Sequence, residues 1–129
     1  MSEPIVFVSH FRVRRGQTDA LKELAGEITE RLFEAKPRTL VYLSYADEAR
    51  GTISFLHVFG DSDSMGFHFE GADERSRAAY EFMEPAGWEI YGSPRADTIE
   101  EIRQAAESEG VVLTVESDYV AGFIRASSS

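Results

Sequence analysis

The chain of 129 residues contains no cysteine. This absence excludes disulfides, thiolate nucleophiles, and metal or iron–sulfur sites that depend on Cys ligands. No apolar run approaches the roughly 20 residues that a membrane-spanning helix requires. The first residues, MSEPIVFVSHF, place an acid before a short apolar run, which is not the order of a secretory signal. We therefore expect a cytoplasmic protein without a membrane partner.

Positive charge is also scarce. Lys and Arg number 13 against 23 Asp and Glu, which gives a net charge of −10. Such an excess of acids disfavours nucleic acids and anionic membrane surfaces as partners. The length fits a single domain spanning 1–129, which is large enough to bury a core.

The spacing of apolar residues predicts the element order strand, helix, strand, strand, helix, strand. This order is the split βαβ pattern of an α+β ferredoxin-like fold with an antiparallel sheet, and it accounts for residues 5–92. The strands are predicted at 4–13, 39–45, 51–59 and 87–92, and the helices at 18–35 and 62–83. Thr18 is the predicted cap of the first helix, and Gly71 is predicted to interrupt the second, which Pro85 and Gly87 end.

Residues 93–125 extend beyond this pattern. A capping box from Thr98 to Glu101 predicts a third helix that stops at Gly110. Val111–Val115 and Tyr119–Ile124 are predicted strands that extend the sheet edge or reach across to a partner. The tail at 126–129 is predicted to be disordered.

The first three strands are apolar on both faces, although helices on one side of the sheet cover only one face. A single chain would expose a larger apolar patch than monomers usually do. We therefore predict a homodimer in which the uncovered sheet faces of two copies pack together.

The stretch Gly51–Phe69 holds two of the chain's three histidines. His57 lies in an aromatic row with Phe55 and Phe59, and His68 lies about two helical turns into the following helix. A neutral histidine in an apolar cavity suits a general base, although a hydrogen-bonded core or surface histidine is the alternative for each. The histidines lack the i, i+4 spacing of metal ligands, so no metal site is predicted.

Three stretches together resemble the antibiotic biosynthesis monooxygenase family, which includes quinol monooxygenases: FVSHFRVRRGQTDALKEL, KPRTLVYLSY and ISFLHVFGDSDSMGFHF. The features that match are Gly16 before the first helix, Pro37 before Leu40 and Tyr42, and His68 in the helix after the third strand. The resemblance implies a dimeric α+β barrel with a cavity in each subunit. It also implies oxidation of electron-rich aromatic substrates by O₂, often without a prosthetic group.

The sequence departs from parts of this family because it contains no Asn. Haem-degrading relatives carry an Asn where this chain has Ser9 and a Trp close to the position of His68, and no His follows residue 68 here. The branch that oxidises polyketides also relies on Asn and Trp, whereas the single Trp here, Trp88, lies in the fourth predicted strand. The resemblance therefore favours the quinol-oxidising branch through His68, and argues against haem degradation.

Two hypotheses follow. In the first, the chain is an oxygenase without a cofactor, with His68 and His57 as catalytic groups acting on a small aromatic or quinol-type substrate. The residues predicted to contact that substrate are Tyr42, Phe55, Phe59, Phe67 and Trp88. In the second, it is a non-catalytic dimer that binds a small ligand or serves as a scaffold. The second predicts a cavity that is filled by aromatic side chains or lacks ionisable groups.

Overall fold

The structure, a computed structural model, describes residues 3–125. Within this range five strands form one sheet in the order β2-β3-β1-β4-β5. Neighbouring strands are antiparallel, except β4 and β5, which are parallel. The predicted α+β ferredoxin-like fold is confirmed. The elements are β1 (Ile5–Val13), α1 (Thr18–Ala35), β2 (Thr39–Asp47), β3 (Thr52–Phe59), α2 (Ser62–Phe69), α3 (Ala72–Ala79), β4 (Met83–Tyr91), α4 (Ala96–Glu109) and β5 (Leu113–Glu116).

The helices cover one face of the sheet, which we call the inner face. Along β3 every second residue is buried, and His57 belongs to this buried set, as the alternation in the sequence predicts. Helices α1, α2 and α4 contact the strands, and α3 packs against α1. Within residues 3–125 no helix packs against the opposite, outer face, so its apolar residues are only partly covered.

The core on the inner face is divided into two clusters. One cluster holds Phe7 and Phe59, and the other holds Phe11 and Phe55. Each central strand has one buried polar residue between the two clusters. On β1 this residue is Ser9, between Phe7 and Phe11, and on β3 it is His57, between Phe55 and Phe59. The polar residues therefore mark the line where the apolar core is interrupted.

The segment after β3 follows the prediction in its first half. The Asp61 carboxylate accepts a hydrogen bond from the Ser64 backbone N–H at 2.8 Å and caps α2. Gly71, with φ of +78°, separates α2 from α3 as predicted.

The second half of that segment corrects the prediction. Met83, predicted to be helical, is the first residue of β4, and Pro85 and Gly87 lie inside the strand instead of ending a helix. Residues 83–91 form a strand because they pair with β1. A bulge opposite His10 and Phe11 accommodates Pro85, which has no N–H to donate to the neighbouring strand.

The bounds predicted for the first helix, 18–35, are confirmed, but its cap residue is Gln17 and not Thr18. The start predicted for the third helix at Thr98 is wrong, because α4 begins at Ala96 and Thr98 lies within the helix. The earlier start of α4 is fixed by a contact with a distant part of the chain, since the Arg95 backbone N–H donates to Ser62 Oγ at 2.9 Å. The Gly110 stop is confirmed, with φ of +69°.

At the C-terminus, β5 confirms the strand within Val111–Val115, but Tyr119–Ile124 is not a strand. No strand within residues 3–125 pairs with this segment, and Val120 and Phe123 are exposed. The tail predicted to be disordered at 126–129 lies outside the described residues. In the range that the structure describes, no helix is long and apolar enough to cross a membrane.

Gly92 is expected to be intolerant of a side chain. Its φ is +117°, and a Cβ there would lie 3.1 Å from the Pro4 carbonyl oxygen and 3.3 Å from Ile5. We expect Gly92→Ala to lower the free energy of unfolding by about 2 kcal/mol, measured by urea titration. Gly87→Ala in β4 is the control, because the nearest atom to its Cβ would be 3.9 Å away. Equal losses in both variants would contradict the role of Gly92.

Candidate functional site

A cleft of about 1130 Å³ lies between the inner face and helices α1, α3 and α4. It opens where the core is divided, since both Ser9 and His57 line it. Its walls are apolar and aromatic where they meet the sheet, whereas exposed polar and charged side chains border it on α3 and α4. This combination is typical of small-molecule sites.

His57 lies in the wall of this cleft and is 6% exposed. Its Nδ1 is 3.1 Å from the Phe7 carbonyl oxygen. A carbonyl only accepts hydrogen bonds, so Nδ1 carries the proton and Nε2 keeps its lone pair. Burial lowers the pKa of His57 to about 4, although the hydrogen bond to Phe7 works in the opposite direction. His57 is therefore neutral near pH 7, with Nε2 available to accept a proton.

His68 lies beside His57, and the two ring centroids are 5.0 Å apart in a perpendicular arrangement. Its Nδ1 is 2.7 Å from Thr39 Oγ1, a contact that fixes the ring from strand β2. Burial, and to a lesser extent positive charge on His57, Arg75 and Lys36, lowers the pKa of His68 to about 3. The cleft therefore contains two adjacent imidazoles that are both neutral near pH 7.

Aromatic rings surround this pair. The Tyr42 ring lies 5.0 Å from His57 and stacks near Phe55 at 6.1 Å. Burial raises the pKa of the Tyr42 hydroxyl to about 12, so the hydroxyl stays protonated. Phe69 meets Phe7 edge-to-face at 5.3 Å. An aromatic ligand would meet ring faces and edges on several sides.

Trp88 borders the cleft from β4, opposite Ser9 on β1. Its side chain is buried, and Nε1 has no hydrogen-bond partner among residues 3–125. A buried donor without a partner costs stability, and such groups in native proteins often have a functional role.

Most of the site residues predicted from the sequence meet in this cleft. His57, His68, Tyr42, Phe55 and Trp88 all line it. Phe59 and Phe67 are not among the residues that line it. Phe59 is fully buried in the core, and the Phe67 ring lies under Lys36 Nζ at 4.4 Å. Phe67 precedes His68 by one helical position, so it points about 100° away from it.

Sequence reasoning missed Arg75, which lines the cleft from α3 and is half-buried. Its Nη2 donates to the His68 carbonyl at 2.8 Å, and its Nη1 donates to the Glu70 carbonyl at 3.1 Å. One signal was available: Arg75 precedes the buried Ala79 by four residues, so both lie on the same face of α3.

No group of three His, Asp or Glu side chains in residues 3–125 converges as a metal site would require. His10 lies on the outer face, away from the cleft. Its Nδ1 contacts Ser54 Oγ at 2.7 Å and its Nε2 contacts Glu89 Oε1 at 2.8 Å.

Comparison with solved structures places the fold among known proteins. MupZ from Pseudomonas fluorescens is 12% identical with a TM-score of 0.71, and the match covers 94% of this chain and 96% of MupZ. A Caulobacter crescentus protein described as a candidate antibiotic biosynthesis monooxygenase is 16% identical with a TM-score of 0.60, covering 69% of this chain and 88% of its own. No protein-family model and no curated protein sequence matches the chain.

SnoaB from Streptomyces nogalater, a cofactor-independent oxygenase solved as a variant, is 12% identical with a TM-score of 0.59, covering 74% of this chain and 97% of SnoaB. At such identities the likeness shows a shared fold. The fold predicted by the resemblance to antibiotic biosynthesis monooxygenases is therefore confirmed. The match to MupZ covers 94% of this chain, whereas the other two matches cover 69% and 74%.

The depressed pKa values of the two histidines predict a stability that falls in acid. An unfolded chain titrates its histidines at about 6.5, so between that pH and about 4 it binds more protons than the folded chain. The stability that the two neutral histidines contribute is therefore fully present above a pH of about 6.5, the histidine pKa in the unfolded chain. It is lost as the pH falls through the folded-state pKa values, about 4 for His57 and about 3 for His68. We expect His57→Phe to remove about 3 kcal/mol of this loss, measured by urea titration from about pH 7 to pH 4.

The control for this prediction is Phe7→Leu, which changes packing beside His57 without removing a titratable group. Its stability is expected to fall with pH in parallel with the wild type. If the difference in free energy of unfolding between wild type and His57→Phe stays constant with pH, then His57 has the same pKa in the folded and the unfolded chain, and the prediction is wrong.

Proposed function

We propose that this protein is a monooxygenase of the antibiotic biosynthesis monooxygenase family that oxidises a small aromatic or quinol-type substrate with O₂ and no cofactor. The observation that carries the proposal is the pair of neutral imidazoles, His57 and His68, in the wall of an aromatic cleft. The shared fold with SnoaB, itself a cofactor-independent oxygenase, supports it. The unit proposed to act is a single domain, with a core at 5–92 and the extension at 93–125.

The chemistry balances without an external reductant. A quinol with a free ring position gives a hydroxyquinone: one oxygen atom of O₂ ends on the ring carbon and the other leaves as water. The substrate supplies all four electrons, and its ring C–H and O–H bonds supply the protons. The protein has to hold the quinol away from bulk water, orient it and accept a proton.

The roles of the two histidines follow from their contacts. His68 is the proposed base in the tautomer in which its Nδ1–H donates to Thr39 Oγ1, because the Nε2 lone pair is then left for the substrate. His57, oriented by the Phe7 carbonyl, stays neutral and keeps its own Nε2 as an acceptor. Tyr42, Phe55 and Trp88 are the proposed substrate contacts. Burial makes both histidines weak bases in the free protein, so the site also needs a group that stabilises the substrate anion.

The non-catalytic alternative predicts a cleft that is filled by aromatic side chains or lacks ionisable groups. The cleft of about 1130 Å³ with His57, His68 and Arg75 in its walls favours the enzyme instead. Oxygen uptake separates the two hypotheses directly.

We also propose that two copies form a homodimer through the outer face of the sheet. Val8, Leu56 and Val58 on this face are half-buried in one chain, while Leu43 and Tyr45 are 44% and 61% exposed. These residues form an apolar surface across strands β1, β2 and β3. A second sheet packed on it would remove this surface from water.

Oxygen consumption with a panel of quinols tests the proposed chemistry. We expect His68→Gln to lower kcat by about 100-fold, because a positioned base contributes at least that much. Product formed under ¹⁸O₂ should carry one labelled oxygen. Phe67→Leu is the control, since Phe67 is next in sequence to His68 and does not border the cleft. Unchanged kcat in His68→Gln would remove the proposed role, and no uptake by the wild type would favour the non-catalytic alternative.

Sedimentation velocity tests the dimer. We expect the wild type to sediment as two chains of 14.4 kDa each. Leu56→Asp should sediment as a monomer, because a charge on the outer face cannot be buried without a partner. Phe33→Asp is the matched control, since Phe33 is 85% exposed on α1 on the other side of the sheet. A monomeric wild type would refute the proposed assembly.

A further inference from the structure

Arg75 places a fixed positive charge in the wall of the cleft. Its two hydrogen bonds go to the carbonyls of His68 and Glu70, at the end of α2. Carbonyls at a helix end have no partner within the helix, so the guanidinium satisfies them and is held in place by them. The side chain is therefore positioned by the backbone of a neighbouring helix, beside His68.

These two bonds leave most of the guanidinium unused. A guanidinium has five N–H donors, and the two backbone carbonyls accept from only part of this set. None of the ion pairs among residues 3–125 involves Arg75. The acids that border the cleft are exposed to water: Glu70, Asp73, Glu74, Glu101 and Glu109.

Three side chains that line the cleft with Arg75 do not balance its charge. Tyr42, His57 and His68 are all neutral near pH 7. Burial lowers the pKa of Arg75, and Tyr42 opposes that effect. The four side chains form what we call the polar corner, which carries one uncompensated positive charge among aromatic rings. Such a charge is costly to bury without a counter-charge.

We propose that the cleft binds its aromatic substrate as a phenolate, with Arg75 as the counter-ion. The proposal rests on the proposed function in taking the ligand to be a phenol. One cation beside aromatic walls matches a ligand with one charged oxygen on an apolar ring, because the guanidinium fork binds the oxygen and the rings bind the body. The other arginine that borders the cleft, Arg77, is exposed to water, so a ligand bound among the aromatic rings meets one half-buried cation, Arg75.

Binding in this form balances simply. The phenol O–H bond breaks, its electron pair stays on the oxygen beside Arg75, and the proton passes to His68, the proposed base, and from there to water. The anion is the electron-rich form of the ring that gives up electrons to O₂. Arg75 then supplies what two weakly basic histidines cannot, namely the stabilisation of the anion near pH 7.

A chromogenic phenol tests this without any turnover. The neutral and anionic forms of 4-nitrophenol absorb at different wavelengths, so the bound form can be read directly. We expect the ratio of bound anion to bound neutral phenol to rise about tenfold over that in water, which is one pKa unit. 4-Nitroanisole, the methyl ether that cannot ionise, should bind more weakly and with no dependence on pH across the same range.

Variants assign the effect to Arg75. Arg75→Gln should abolish the tenfold shift, and Arg75→Lys, which keeps the charge without the fork, should retain part of it. Arg31→Gln on exposed α1 removes the same charge far from the cleft and should bind like the wild type. If Arg75→Gln fails to fold, the spectrum of 4-nitrophenol bound to the wild type and to Arg75→Lys still shows whether the anion is favoured and whether the shift depends on residue 75.

The outcomes separate this proposal from the enzyme function. Nitrophenol bound by the wild type in its neutral form, or a shift that persists in Arg75→Gln, would overturn the role of Arg75. Phenolate binding without oxygen uptake from any quinol would leave the anion site standing and refute the oxygenase. Binding of neither 4-nitrophenol nor 4-nitroanisole would overturn both proposals.

Discussion

Burying two imidazole rings side by side in an apolar core is the constraint on which the rest of this structure depends. Each ring loses hydration, and protonating one disfavours protonating the other, so His57 and His68 are both held neutral. Neutral imidazoles still need hydrogen-bond partners, and the Phe7 carbonyl and Thr39 hydroxyl supply them. The pair therefore depends on the place where β1, β2, β3 and α2 meet.

The same constraint explains why the core is divided. Ser9 and His57 interrupt the apolar rows of the two central strands at neighbouring positions. Large apolar side chains fill the space on either side, and the cleft remains between them. Arg75 donates hydrogen bonds to the carbonyls of His68 and Glu70 at the end of α2. These bonds hold a positive charge in the wall of the cleft. Neutral bases, aromatic walls and one cation thus meet at one place in the fold.

Much of the fold could be predicted because it depends on the spacing of apolar residues within each element and on the order of the elements along the chain. The alternation of β3 places His57 on the buried face, and the stripe of α1 places Leu21 and Ala25 against the core. The predictions that failed depended on contacts between distant segments. Ala79, Phe82 and Met83 have a helical spacing, yet β1 recruits Met83 into β4. The capping sequence at Thr98 does not set the start of α4, because the contact between Arg95 and Ser62 places the start earlier in the chain.

The sequence by itself determined which side chains could be inside and in what order the elements follow, because the periods of strands and helices are local properties of the chain. It also determined that one sheet face would remain apolar and uncovered. Only the tertiary structure decided that His57 and His68 touch, that Phe67 points away from them, and that Arg75 joins them from another helix. Helix packing and strand register set those distances, and both arise from contacts between residues far apart in the chain.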